Sequence, residues 1–307
     1  MNVLKQVAAV SLMNLRSVPQ RWSTSLVIVV GIAGVVGVLT AILAMGEGFR
    51  ATLGAAGKED QAIVLRSGAT SELTSGLGRE AVDLIARSAG VARGADGQPI
   101  ASAEILVIAD LPKRGTGTLA NAPIRGVQPK AFELRPEVEI VEGRNFEPGP
   151  RELIVGRGAA SQFEGLEVGA RLAFRDADWT VVGIFSAGGG AHESELWGDA
   201  ETVMSAYRRG GFQSVTVQLE DAAAFESFQA ALADDPRLNV EAQTLRAYYA
   251  AQSRQMSMLI NVLGYAIGYI MAIGALFGAL NTMYAAVSTR ARDRDAAGAR
   301  LRWRGDR

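Results

Sequence analysis

The 307-residue chain contains no cysteine and a single histidine. Without cysteine there is no disulfide framework and no thiolate metal site, so any folded part must be held by its own apolar core. The histidine, His192, sits in Gly188-Gly189-Gly190-Ala191-His192-Glu193-Ser194-Glu195. One imidazole with no thiol does not complete a metal shell, and the glycine run reads as a mobile surface loop. A phosphate loop is missing too, because Gly54-Ala55-Ala56-Gly57-Lys58-Glu59 has neither the spacing nor the hydroxyl of Gly-x-x-x-x-Gly-Lys-Ser/Thr. No Gly-x-Ser-x-Gly elbow occurs. The chain is therefore expected not to be an enzyme by itself and to bind no metal or cofactor; if ATP drives it, another chain must hydrolyse the ATP.

Charge is missing from two long stretches. Charged residues make up 21% of the chain, yet none occurs at 22–46 or at 255–289. A helix rises about 1.5 Å per residue and the hydrocarbon core is roughly 30 Å thick, so about 20 apolar residues suffice to cross it. Both stretches are long enough, and both are read as transmembrane helices. The first has the basic flank of a signal peptide and a small-x-small site at Ala44-Met45-Gly46. Its apolar run exceeds the roughly 7–15 residues of a signal sequence, so an uncleaved anchor is the preferred reading. No acid or base lies inside either span, which argues against an intramembrane proton or ion path.

The charges that remain are partitioned. Residues 1–21 hold Lys5, Arg16 and Arg21 and no acid, and residues 290–307 hold seven arginines against three aspartates. The 208 residues at 47–254 hold 21 basic and 29 acidic side chains. Basic flanks resist translocation, so both termini are expected in the cytoplasm and the acidic middle outside, with the chain in the inner (plasma) membrane in contact with lipid. The same partition leaves no basic patch for nucleic acid. Within the leader, Asn2–Val18 intersperses Leu4, Val7, Leu12 and Leu15 with polar residues until Pro19, which suits an amphipathic helix on the membrane surface.

The outer region reads as mixed α/β. Strands are expected at 62–65 and 103–108 around a helix at 78–88 that buries Ala81, Leu84 and Ile85. A second set follows: a strand at 214–219, a helix capped by Asp221 and containing Phe225, Phe228 and Leu232, and a strand starting at 238–240. Two β-α-β units suggest a split ferredoxin-like core at about 60–110 and 212–245. Between them, at about 111–211, turn residues and short strands (153–155, 171–174 and 179–184) indicate an inserted, β-rich subdomain. Gly31, Gly34 and Gly37 in the first span, and the pairs Gly264/Gly268 and Gly274/Gly278 in the second, are small-residue positions where helices can approach closely.

Several segments carry a resemblance. They are Leu15-Arg16-Ser17-Val18-Pro19-Gln20-Arg21, Met45-Gly46-Glu47-Gly48-Phe49, Gly143-Arg144-Asn145-Phe146, Arg151-Glu152-Leu153-Ile154-Val155-Gly156, Glu193-Ser194-Glu195-Leu196-Trp197-Gly198-Asp199, and Asn281-Thr282-Met283-Tyr284-Ala285-Ala286-Val287-Ser288-Thr289-Arg290. Over residues 1–290 the chain resembles permeases of the macrolide-exporter and lipoprotein-release (MacB/FtsX-like) type of ABC transporter. The resemblance implies a porter-like outer domain with an inserted β-rich subdomain, four spans where two are present here, and a homodimer or a heterodimer with a related permease. It further implies a cytoplasmic ATPase subunit that carries the ATP-Mg, and in some systems a periplasmic adaptor. It places Ser288, Thr289 and Arg290 at the end that couples to the ATPase. In such permeases ATP-driven closure moves the outer domain, a mode called mechanotransmission, in export or in lipid and lipoprotein extraction.

After Arg290 the pattern departs from the family. When Ala291–Arg302 is back-translated in GC-rich codons, an overlapping frame can encode Arg-Glu-Ile-Ala-Thr-Leu-Arg-Ala-Leu-Gly-Phe, which is the family's coupling sequence. The tail 290–307 is therefore expected to be out of frame and the chain to be a truncated first half. The competing readings are a two-span receptor or adaptor with an outer binding domain, and an inactive truncated product.

Overall fold

The computed structural model describes residues 22–55, 57–174 and 177–305. The surface helix expected before residue 22 lies outside the described residues. The chain divides into two compact units, one made of the segments up to Gly48 and from Gln255 onward, the other Phe49–Arg254.

The first unit is helical. Helix α1 spans Trp22–Ala55 and helix α7 spans Leu245–Gly305. Apolar windows at Val29–Gly48 and Leu245–Gly278 have mean hydropathies of 2.4 and 1.9 and are long enough to cross a membrane. Val29, Val30 and Val36 of α1, and Leu259, Leu263, Tyr269, Ile270 and Phe277 of α7, are more than half exposed. A core helix of a soluble protein would cover such side chains, whereas lipid accepts them.

The second unit is built on a ten-stranded mixed sheet. Its elements in order are β1 Gln61–Arg66, a 3₁₀ turn Glu72–Thr74, α2 Arg79–Ala86, β2 Ala101–Pro112, β3 Leu119–Val127, α3 Ala131–Leu134, β4 Glu139–Gly143 and β5 Glu152–Gly156. There follow α4 Arg157–Gln162, β6 Arg171–Phe174, β7 Ala177–Ser186, a 3₁₀ turn Ala191–Ser194, β8 Leu196–Asp199, α5 Ala200–Ala206, β9 Ser214–Gln218, α6 Ala224–Asp234 and β10 Val240–Thr244. The strand order is β10-β1-β9-β2-β3-β8-β5-β7-β4, with β6 on β7.

The first four positions, β10-β1-β9-β2, are all antiparallel pairings closed by two β-α-β crossovers. This is the split ferredoxin-like core that the two β-α-β patterns predict. The insert begins inside one strand: Ala101–Glu104 of β2 pair with β9, whereas Ile105–Pro112 pair with β3. The sheet therefore runs from core into insert without a break, and one apolar cluster joins Val64, Ile85 and Phe228 to Leu153, Trp179 and Leu196.

Two local expectations change. The buried residues of α2 are Val82 and Ile85, with Ala81 and Leu84 at the margin, so its inner face is turned from the expected Ala81, Leu84 and Ile85. Helix α6 starts at Ala224 rather than directly at Asp221; the Asp221 carboxylate still accepts the Ala224 N–H at 2.8 Å.

Candidate functional site

A buried cluster of charge lies where core and insert share the sheet. Glu72 stands in the first 3₁₀ turn, Glu104 on β2, Arg125 on β3, Arg135 just after α3, and Glu195 just before β8. Arg125 is 4% exposed and Glu104 0%. The Arg125 guanidinium grips Glu195 with two parallel bonds, Nε to Oε2 and Nη2 to Oε1, both at 2.9 Å. Its Nη1 reaches Glu72 Oε1 at 2.8 Å and Glu104 Oε2 at 2.9 Å. Arg135 takes Glu104 from the other side, at 2.6 and 3.0 Å, and its Cζ lies 5.5 Å over the Trp197 ring. Planar bidentate pairing of this kind suits arginine rather than lysine.

Neutral donors complete the cluster. Trp197 Nε1 donates to Glu195 Oε2 at 2.7 Å and Ser214 Oγ to Glu72 Oε1 at 2.7 Å. The Glu72 backbone N–H donates to Tyr248 Oη at 3.3 Å. Tyr248 lies in the first turns of α7, packed with Leu245 against Ile63 and Leu65 of β1.

His192 is part of this cluster, which corrects the surface-loop expectation. It is 7% exposed, its Nδ1 lies 3.0 Å from Glu195 Oε2, and its ring meets Trp197 edge-on. The glycine run is held down by Glu193, whose Oε1 accepts Ser186 Oγ and the N–H groups of Ala187 and Gly189 at 2.9–3.0 Å. Those backbone donors, Gly189 and Ala187 foremost, hold the Glu193 carboxyl below its usual range.

Burial pushes the Glu104 carboxyl up, but the charges of Arg135 and Arg125 outweigh it and leave it below the ordinary range. For Glu195 burial is likewise outweighed, by Arg125 and His192, and the carboxyl sits well below the ordinary range. A depressed folded-state pKa contributes stability that is complete above the ordinary carboxylate value and is lost as pH falls through the lower folded value. Acidification from about pH 7 to about pH 3 should therefore lower the urea midpoint of the domain. An unchanged midpoint over that interval would mean that these carboxylates are not paired in solution.

The segments that carry the family resemblance have structural reasons. Arg144 and Glu152 join two of them through Arg144 Nη1 to Glu152 Oε2 at 2.7 Å. Asp199 caps α5 by accepting Thr202 N–H at 2.9 Å. Glu195 and Trp197 belong to the buried cluster.

The glycines singled out in the spans divide into two sets. A Cβ on Gly264 would lie 2.9 Å from Ile42 Cγ2, and one on Gly268 would lie 3.1 Å from Leu39 Cδ1. These two therefore sit where α1 and α7 meet, a contact continued by Ser257 Oγ donating to the Gly46 carbonyl at 3.3 Å. A Cβ on Gly31, Gly34, Gly37, Gly274 or Gly278 would meet nothing within 4 Å. Ser288, Thr289 and Arg290 lie on α7, remote in sequence from the cluster; the side chains of Thr289 and Arg290 fall outside the described residues.

The family of MacB-like periplasmic core domains matches residues 25–235. The chain belongs to this family, that of MacB-like permeases of ABC transporters. The periplasmic region of MacB from Actinobacillus actinomycetemcomitans is similar with a TM-score of 0.46 and 13% identity, over 61% of this chain and 90% of that one. The extracellular domain of the noncanonic ABC-type transporter YknZ from Gram-positive bacteria is similar with a TM-score of 0.45 and 16% identity, over 60% of this chain and 99% of that one. Among curated proteins no sequence matches.

Proposed function

We propose that this chain is the membrane subunit of an ABC transporter that couples ATP hydrolysis by a separate cytoplasmic ATPase to movement of its outer domain. The observation that carries the reading is the match of residues 25–235 to the MacB-like periplasmic core domain, in a chain with two helices, α1 and α7, that are apolar and long enough to cross a membrane. Permeases of this family work with an ATPase, which favours a moving outer domain over a passive binding module.

In this reading both termini are cytoplasmic, and Ser288, Thr289 and Arg290 form the end that meets the ATPase. Gly31, Gly34, Gly37 and Gly274 are offered to helices of a second permease copy or of a related permease. The domain itself then needs no catalytic residue.

Co-purification tests this. A tagged chain in detergent should retain its ATPase subunit, and alanine at Ser288, Thr289 and Arg290 together should reduce the retained ATPase about ten-fold, the loss expected for roughly 1.4 kcal/mol of binding energy. In nanodiscs, spin labels on paired outer domains should change separation on ATP addition. Retention indifferent to the triple substitution, or a separation indifferent to ATP, would overturn the proposal.

A further inference from the structure

The three buried glutamates are not equivalent. Glu104 and Glu195 lie on or beside sheet strands, whereas Glu72 projects from a 3₁₀ turn and is held from two directions. Its carboxylate binds Arg125 and Ser214, and its backbone N–H binds the hydroxyl of Tyr248. Glu72 thus touches both the first turns of α7 and the arginine that grips Glu195. From Glu195 the contacts continue to His192 and Trp197. An unbroken buried polar path, Tyr248–Glu72–Arg125–Glu195, links the base of α7 to the segment 192–197 of the insert.

Such groups do not move independently. Withdrawing Glu72 strands part of the Arg125 charge in a dry site, and Arg125 can follow only by loosening its paired bonds to Glu195. The surrounding apolar contacts are non-directional and permit small sliding, whereas a bidentate ionic pair fixes angle as well as distance.

We propose that Glu72 and Arg125 form the joint through which displacement at the base of α7 reaches the inserted half of the sheet. This rests on the reading that the outer domain moves with its helices. Glu72 and Arg125 are positioning residues in it, and Tyr248 is the point of entry. The competing route is the sheet alone, through β1, β9, β2 and β3, and it does not require the Tyr248 hydroxyl.

Hydrogen–deuterium exchange on the full chain in nanodiscs, with no ATPase present, separates the two routes. Tyr248→Phe keeps the ring and removes the acceptor of the Glu72 N–H. Exchange at residues 71–75 should rise about five-fold, the loss of one ordinary hydrogen bond. If the joint exists, exchange at residues 191–197 should rise as well, by about two-fold or more. In a double-variant cycle with Glu195→Gln, the effect of Tyr248→Phe at residues 71–75 should differ by at least about two-fold from its effect alone.

A rise confined to residues 71–75, or strictly additive effects in the cycle, would overturn the joint. ATP-dependent movement of the outer domain together with a confined rise removes the joint and leaves the proposed function standing. A rise at both segments with no ATP-dependent movement does the reverse.

Discussion

Arg125→Met is expected to cost the outer domain about 3–5 kcal/mol, the penalty for removing one partner from a buried ionic group. Methionine replaces the stem of the arginine but none of its donors. Of the buried carboxylates, Glu195 would then keep only His192 and Trp197 and Glu72 only Ser214, while Arg135, the remaining guanidinium of the cluster, is already committed to Glu104. Against a total stability of about 5–15 kcal/mol, such a loss leaves the domain marginal or unfolded. Urea unfolding followed through tryptophan fluorescence would measure it, since Trp197 lies beside the cluster and is fully buried. Arg79→Met is the comparison: its pair with Glu201 is exposed on both sides, and the midpoint should stay where it is. If the two variants have the same midpoint, the cluster does not hold core and insert together.

The same cluster marks the limit of what the sequence discloses. The ferredoxin-like half was legible because its elements are local: Ser214–Gln218 alternates, α6 presents Phe228 and Leu232 on one face, and Gln61–Arg66 is an apolar run bounded by polar residues. The strand β3 was not legible, because Asn121, Pro123 and Arg125 interrupt its apolar pattern. Arg125 is tolerated in mid-sheet only through partners 21, 53 and 70 residues away in the chain, and no local pattern records that spacing. β4 was not legible either: it packs one edge on β7 and leaves Val141 exposed, so it carries no apolar run.

His192 was misplaced for a related reason. Three glycines announce a loop, but Glu193 closes that loop on itself and Glu195 draws the ring inward. The resemblance pointed to Glu193–Asp199 as a segment without saying what it does; its chemistry needed Arg125 and Gly156 in place.

Gly156→Val should cost about 3 kcal/mol, at the upper end of what overpacking a core costs. β5 ends at Gly156 directly under the 3₁₀ turn Ala191–Ser194, and its N–H donates to the Glu195 carbonyl at 2.9 Å. A Cβ there would fall on the Glu193 carbonyl and within 2.8 Å of the Glu193 Cα. Backbone cannot rotate aside as a side chain can, so the turn must lift. Lifting it carries His192 and Glu195 away from Trp197 and Arg125, so a steric change at one strand end becomes loss of the buried ionic contacts. Gly76→Ala is the control, since a Cβ at that position meets nothing within 4 Å and the midpoint should be unchanged. The signature of the mechanism is that Gly156→Val and Arg125→Met should combine to less than the sum of their separate costs, because both act on the Glu195–Arg125 contact. Additive costs would mean that Gly156 supports the strand end alone and that the turn above it does not hold the charge cluster in place.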